Sequence, residues 1–245
     1  DSNPDTNATG SIVVNDQTIS QNKIVVESVT TDQDGWLVAR NTSGGNTSAV
    51  VSDTVAVSSG TTQNVELTLN NTASLTGNDA GDQFTITLYQ DNPNSGTQGE
   101  FDMADTPVKD SNGDPVSETI TVMAPSFKVQ DQTVTDNAVN FDSVNTLNGG
   151  FIVLYNQNAD GSINQSDIVG TTYVNPGTTD AVSVPFINDF TYQSGQNIYP
   201  VLYTDNPADQ QFTYLTDNTT DVPEMYGYDT NGVAQPVGYG PIVVQ

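Results

Sequence analysis

Apolar residues come in short runs along this chain, and where they alternate with polar ones the period is two. Val65-Glu66-Leu67-Thr68-Leu69 and Phe84-Thr85-Ile86-Thr87-Leu88 place every second side chain on one face, the pattern of a strand with one side buried. The runs are rich in Val, Ile, Phe, Tyr and Thr, and clusters of Gly, Asn, Asp and Pro bound them. Read this way, residues 11–14, 24–29, 36–40, 50–57, 65–69, 84–89 and 119–123 are strands, and so are 127–129, 138–141, 151–155, 168–174, 182–186, 198–203 and 241–244. No window of a dozen residues carries a helical stripe. The expected fold class is all-β, two tandem immunoglobulin-like β-sandwich domains of about seven short strands each. A small barrel is the alternative.

Two domains are expected because the chain repeats itself. Val14-Asn15-Asp16-Gln17-Thr18 returns as Val129-Gln130-Asp131-Gln132-Thr133, and Gly35-Trp36-Leu37-Val38 as Gly150-Phe151-Ile152-Val153, both 115 residues on. Val57-Ser58-Ser59-Gly60-Thr61-Thr62 answers Val174-Asn175-Pro176-Gly177-Thr178-Thr179 at 117, and Leu88-Tyr89-Gln90-Asp91-Asn92-Pro93 answers Leu202-Tyr203-Thr204-Asp205-Asn206-Pro207 at 114. Matches in one order with nearly constant offset mark one module copied twice. The expected organisation is a polar extension at 1–10, module 1 at 11–124 and module 2 at 125–245.

The ordered set of Val-x-Asp-Gln-Thr, Gly-aromatic-aliphatic-Val, a Gly-Thr turn, a Leu-Tyr-x-Asp strand end and Gly113-Asp114-Pro115-Val116 resembles an uncharacterised tandem β-sandwich repeat module of secreted haloarchaeal surface proteins. The resemblance covers 11–245 and implies location and architecture, without chemistry. Copy two departs from it after Asn206-Pro207, where an Asp- and Tyr-rich stretch replaces Lys109 to Val116.

Charge points the same way. Thirty Asp and Glu stand against four Lys and Arg, a formal net charge of −26. On a folded surface of about 10,500 Å² that is one uncompensated charge per roughly 400 Å². Self-repulsion at that density opposes compaction unless something screens it, and molar salt shortens the Debye length to about 3 Å. The acids are scattered through turn after turn instead of forming a tail, so a halophilic protein is expected. Its sign excludes nucleic acid and anionic membrane as partners. No stretch is long and apolar enough for a membrane span. Opening on Asp1 with no charged and apolar leader, the chain is expected to be a mature, secreted, extracellular form displayed at the cell surface.

With neither His nor Cys, there is no thiolate nucleophile and no imidazole base, and a Ser–Lys dyad would have to come from Lys23, Lys109 or Lys128. A non-enzyme with no organic cofactor is expected. Calcium is the one candidate ion, since the donors are oxygens. Asn156, Asn158, Asp160, Asn164 and Asp167 keep the spacing of a calcium loop with Gly161 at its sixth position, although Asn opens it and Asp closes it. A second candidate set is Asp91, Asn94, Asp102, Asp105, Asp110, Asn112 and Asp114. Sequons for N-glycans stand at Asn7, Asn41, Asn46, Asn70, Asn164 and Asn218, about as many as composition alone would produce.

Two further features concern partners. Strand-like segments near both ends, Ile12, Val13 and Val14 and then Ile242, Val243 and Val244, are candidates for donation to a neighbour's open sheet edge. Tyr192, Tyr199, Tyr203, Tyr214, Tyr226, Tyr228 and Tyr239 crowd copy two, and those in Gly-rich loops could form a contact surface. The favoured expectation is a structural subunit of an extracellular filament or surface assembly, joined by strand and module-to-module contacts. It would bind copies of itself (a homopolymer) or other surface proteins. An adhesin or carbohydrate-binding module using the Tyr-rich loops is one alternative, and a surface protein of a halophilic virus is another.

Overall fold

A computed structural model describes residues 9–42, 49–70, 73, 75, 81–91, 97, 99–102, 104–187, 190–228, 231, 233–238 and 240–245. The chain forms two compact units, Asp1–Met123 and Ala124–Gln245. All of the regular structure among the described residues is strand.

The first unit contains β1 (Gly10–Val13), β2 (Gln17–Thr18), β3 (Lys23–Thr31), β4 (Gly35–Asn41), β5 (Val55–Val57), β6 (Gly60–Thr68), β7 (Asp82–Gln90), β8 (Thr106–Pro107) and β9 (Ser117–Met123). One sheet runs β1-β3-β6 and the other β2-β9-β7-β4-β5, with β8 paired to β7. The second unit contains β10 (Ser126–Lys128), β11 (Ala138–Thr146), β12 (Gly150–Gln157), β13 (Ile163–Val174), β14 (Gly177–Pro185), β15 (Gln196–Thr204), β16 (Met225–Tyr228), β17 (Ala234–Pro236) and β18 (Ile242–Val244). Its sheets run β10-β11-β14 and β13-β12-β15-β18, with β16 and β17 as a separate pair. The two plans share their main strands, as the sequence repeat implies, but the first unit adds β2 and β8 to its larger sheet, whereas the second has only a single bridge at Gln132 and the separate β16-β17 pair. The chain is all-β, two tandem β-sandwich domains.

Alternation explains the core. In β3, Ile24, Val26 and Val29 are buried; in β7, Phe84, Ile86 and Leu88 are. In the second unit, Val139 and Phe141 of β11, Ile152 and Leu154 of β12, Val184 of β14 and Leu202 of β15 form one cluster drawn from both sheets. Each such side chain contributes about 2 kcal/mol by leaving water. β12 does not alternate: all five residues from Phe151 to Tyr155 are buried, because the second face of its sheet is covered too.

The Val-x-Asp-Gln-Thr motif lies where the chain leaves one sheet for the other. β1 pairs antiparallel with β3, and four residues later β2 pairs in parallel with β9, Gln17 opposite Val122 and Thr18 opposite Met123. Gln17 ties the crossing strand to the sheet it has left: Oε1 accepts Val25 N at 2.9 Å and Nε2 donates to Val25 O at 3.0 Å. Asp16 Oδ1 accepts Thr121 N at 2.7 Å. In the second unit Gln132 makes the same pair of bonds to Asn140, at 2.8 and 2.9 Å, and Asp131 Oδ1 accepts Val243 N at 2.8 Å. A tight turn follows in each copy, Gln21-Asn22 and Asp136-Asn137, with positive φ at all four residues and closing bonds Lys23 N to Ser20 O and Ala138 N to Thr135 O. These are two-residue hairpin turns of the kind that matches strand twist.

Several boundaries depart from the sequence reading. The expected strand at 50–57 shrinks to β5, with Val50 and Ser52 making only single bridges to Arg40 and Leu69. β13 starts five residues earlier than 168, and β2, β8, β16 and β17 are additional to the expected strands.

The terminal segments also differ from expectation. β1 pairs in register with β3 from Gly10 and Thr31 to Val13 and Ser28, while Val14 lies beyond it. Ile242, Val243 and Val244 pair with Ile198, Asn197 and Gln196 of β15. Ile12, Ile242 and Val244 are buried, so donating either strand would expose side chains worth about 2 kcal/mol apiece. In this structure both segments pair within their own module.

Candidate functional site

Asp, Asn and Gly give this chain many tight turns, and the predicted metal ligands sit in them. Asn158 and Asp160 lie in the connection between β12 and β13, Asn156 at the end of β12, and Asn164 and Asp167 in β13. Asn156 Nδ2 donates to Asp167 Oδ2 at 2.8 Å, and its Oδ1 accepts from Gln157 N and from Gln196 Nε2. Asn158 Nδ2 donates to Ser162 Oγ and Ile163 O. Asp160 Oδ1 accepts Ser162 N at 3.0 Å and Ser162 Oγ at 2.6 Å, and Asn164 Oδ1 accepts Ser166 N. Oxygens expected to converge on an ion are spent closing a hairpin.

The other acidic set behaves likewise. Asp91 Oδ2 accepts Gly99 N; Asp102 accepts Thr97 N and Ala104 N; Asp105 accepts Asp102 N. Asp110 Oδ1 accepts Asn112 N and Asp114 N, and its Oδ2 accepts Asn112 Nδ2. Asn94 lies outside the described residues. Among the described residues no group of three carboxylates is placed to hold a metal ion. Calcium takes about six to eight oxygens at close range, and the donors as arranged do not fit it.

These bonds have an electrostatic consequence. Each N–H or hydroxyl donor favours the ionised carboxylate. Asp102 is held below the usual carboxylate range chiefly by Thr97 N–H, Asp110 by Asp114 N–H, Asp160 by the Ser162 hydroxyl and Asp217 by the Thr219 hydroxyl. They are turn-forming anions with no basic partner.

The sequons divide by environment. Asn7 and Asn46 lie outside the described residues. Asn41 is half-buried in β4 and its Nδ2, the atom a glycan would take, donates to Ala73 O at 2.5 Å. Asn70 and Asn164 are half-buried, Asn164 within β13. Asn218 is exposed, in a turn that Asp217 closes onto Thr219.

The tyrosines are mostly internal. Tyr155, Tyr199 and Tyr203 are buried on the outer face of the β13-β12-β15 sheet, with Phe212 and Tyr214 packed over them. Tyr199 OH donates to Gly161 O. Tyr192 packs on the main core and Tyr226 is half-buried in β16; the Tyr228 side chain and Tyr239 lie outside the described residues. Among the described residues the exposed large apolar side chains are Val13, Met123, Leu215 and Val233, and exposed apolar residues are ordinary on a folded surface.

Sequence reasoning did not foresee what holds Phe212 and Tyr214 down. The segment from Asp205 to Pro223 folds around two buried carboxylates. Asp221, fully buried, accepts Asn206 N at 2.9 Å, Thr213 N at 2.6 Å and the Thr213 hydroxyl at 2.6 Å. Asp205 accepts Asp209 N and Gln210 N. In so acidic a chain, two more Asp in a polar loop carried no signal of burial.

The fold and its motif-borne junctions define a tandem β-sandwich repeat protein. The chain belongs to a family described as a domain of unknown function (DUF7282), matched twice, at residues 10–123 and 125–237. No curated protein matches it. Among solved structures, the crystal structure of CBD12 from CALX1.2 is similar at 11% identity over 79% of this chain and 79% of that chain, with a TM-score of 0.26.

Proposed function

We propose that this chain is a secreted, non-enzymatic structural protein of a halophilic archaeon's surface, a subunit of an extracellular filament or other assembly. The observation that carries the reading is the charge balance: four basic residues can neutralise at most four of thirty acids. The Lys23–Glu66 pair at 2.6 Å, with both side chains well exposed, is of the kind worth about 0–1 kcal/mol. Screening by the solvent would offset the remaining repulsion, which supports concentrated salt as the setting of the folded protein. The repeated module, with its polar groups committed to turns and junctions, supports a scaffold over a catalyst. Subunits would join through β-strand and module-to-module contacts, and the pairing of both terminal strands within their own modules favours the module-to-module kind. The sequon at Asn218 is exposed, so a glycan there would fit the same extracellular setting.

Electron microscopy of the protein in molar sodium or potassium chloride tests assembly, and circular dichroism through a salt titration tests the setting. Polymers at high salt and loss of fold in dilute buffer are expected. A chain that stays folded and monodisperse in dilute buffer without divalent ions overturns the proposal.

A further inference from the structure

In the first module the first and last strands of one sheet lie side by side and run the same way, and in the second the chain at Gln132 makes the equivalent parallel bridge to the last strand. Gln17 and Thr18 are parallel to Val122 and Met123, and Ile19 N donates to Met123 O at 3.1 Å. In the second unit Gln132 is parallel to Val244. There Gln132 N donates to Val243 O at 3.1 Å, Gln245 N to Gln132 O at 3.0 Å and Val134 N to Gln245 O at 3.0 Å.

Tension from the N-terminal side reaches the parallel segment through β1 or β10, and the parallel partners are then loaded from opposite ends of the pair. Tension applied through those ends runs along the strands, so the bonds between them share the load and must slide together. An antiparallel pair pulled from adjacent ends opens one rung at a time. The side chains reinforce the pair: Asp16 and Asp131 each hold a backbone N–H of the last strand, at 2.7 and 2.8 Å. Gln17 and Gln132 each make two bonds to a strand of the opposite sheet. To slide, β2 must therefore break free of both sheets.

We infer that each module bears tension along the chain, with the parallel terminal pair and its Asp-Gln latch as the clamp. The inference rests on topology and register, and holds whatever the surface assembly or salt requirement proves to be. The same latch occurs twice with nearly equal distances, and it accounts for the repetition of Asp-Gln-Thr at the head of both copies, a motif with no other evident task.

Single-molecule force spectroscopy on the full chain, held by handles at its two ends in molar salt, reads the clamp directly. Two force peaks are expected, each followed by release of about 35–40 nm of contour for a module of this length. Gln17→Ala lowers one peak and Gln132→Ala the other, while the untouched module keeps its force. Because the chain contains no cysteine, handles placed at Thr9→Cys and Gln33→Cys pull β1 from β3 at adjacent ends, with the clamp residues unaltered. That geometry should yield at lower force than end-to-end pulling. Extension without distinct peaks, unchanged force in folded glutamine variants, or equal force in the two geometries overturns the inference.

Discussion

Tyr155 and Tyr203 share a buried hydroxyl–hydroxyl hydrogen bond of 2.5 Å on the outer face of the second sandwich. The equivalent positions in the first are Arg40 and Tyr89, where Arg40 Nη2 donates to Tyr89 OH at 2.8 Å and the guanidinium lies 5.6 Å from the ring centroid. The stacking above them is kept: Phe101 meets Tyr89 edge-on at 5.2 Å, as Phe212 meets Tyr203 at 5.2 Å. One slot is thus filled by a cation over a ring in one copy and by paired phenols in the other. Tyr203→Phe should cost the second module about 1–2 kcal/mol, since it strips a buried hydroxyl of a partner. Denaturant unfolding in molar salt reads the loss, and Tyr155→Phe added to it should cost less than the sum of the two.

Gly35 and Gly150 open β4 and β12 under a neighbouring backbone. A Cβ at either would stand 2.1 Å from a carbonyl oxygen, that of Tyr89 or of Tyr203. Gly35→Ala and Gly150→Ala should each destabilise their module by about 3 kcal/mol or more, at the upper end of overpacking effects. Unfolding should then become biphasic, with one module melting ahead of the other.

Acid sensitivity follows from the turn carboxylates. Folding lowers the pKa of Asp102, Asp110, Asp160 and Asp217. Their contribution is therefore complete above the ordinary carboxylate value of about 4 and is lost as pH falls below it, through the lower folded values. In dilute buffer the relief of like-charge repulsion opposes this loss, whereas molar salt has already screened that repulsion. Thermal midpoints measured in molar salt from pH 7 to 2 should hold steady down to about pH 4 and then drop. Asp217→Asn should shrink the drop.

Removing the Asp221 carboxylate should release the loop that it gathers. Asp221→Ala leaves Asn206 N, Thr213 N and the Thr213 hydroxyl without their acceptor, at about 1–3 kcal/mol for each donor that stays buried. The loop should swing away instead, uncovering Phe212 and Tyr214. Limited proteolysis should cut between 205 and 223 in the variant and spare the wild type. Hydrogen exchange should rise there and stay unchanged in the first module.

Much of this was legible because it is periodic or repeated. Alternation placed Phe84, Ile86 and Leu88 inward, and the recurring Asp-Gln-Thr and Gly-aromatic motifs marked two modules. Ligand spacing speaks in one dimension only: in three, Asp160 and Asn164 cap local turns while Asn156 bonds Asp167 and Gln196 across the hairpin and sheet. Terminal Ile12 and Val244 read as strands to give away, because a sequence does not say which edge a strand will meet.

By itself the sequence determined the strand class, the duplication and the strongly negative net charge, all of which depend on residue order and composition alone. Tertiary structure decided that the end strands stay at home, that Tyr155, Tyr199 and Tyr203 are interior, and that Asp221 is buried while Asp217 is not. Those outcomes depend on which distant backbone N–H groups, rings and carbonyls come within about 3 Å of a side chain, and chain folding sets that distance independently of separation along the sequence.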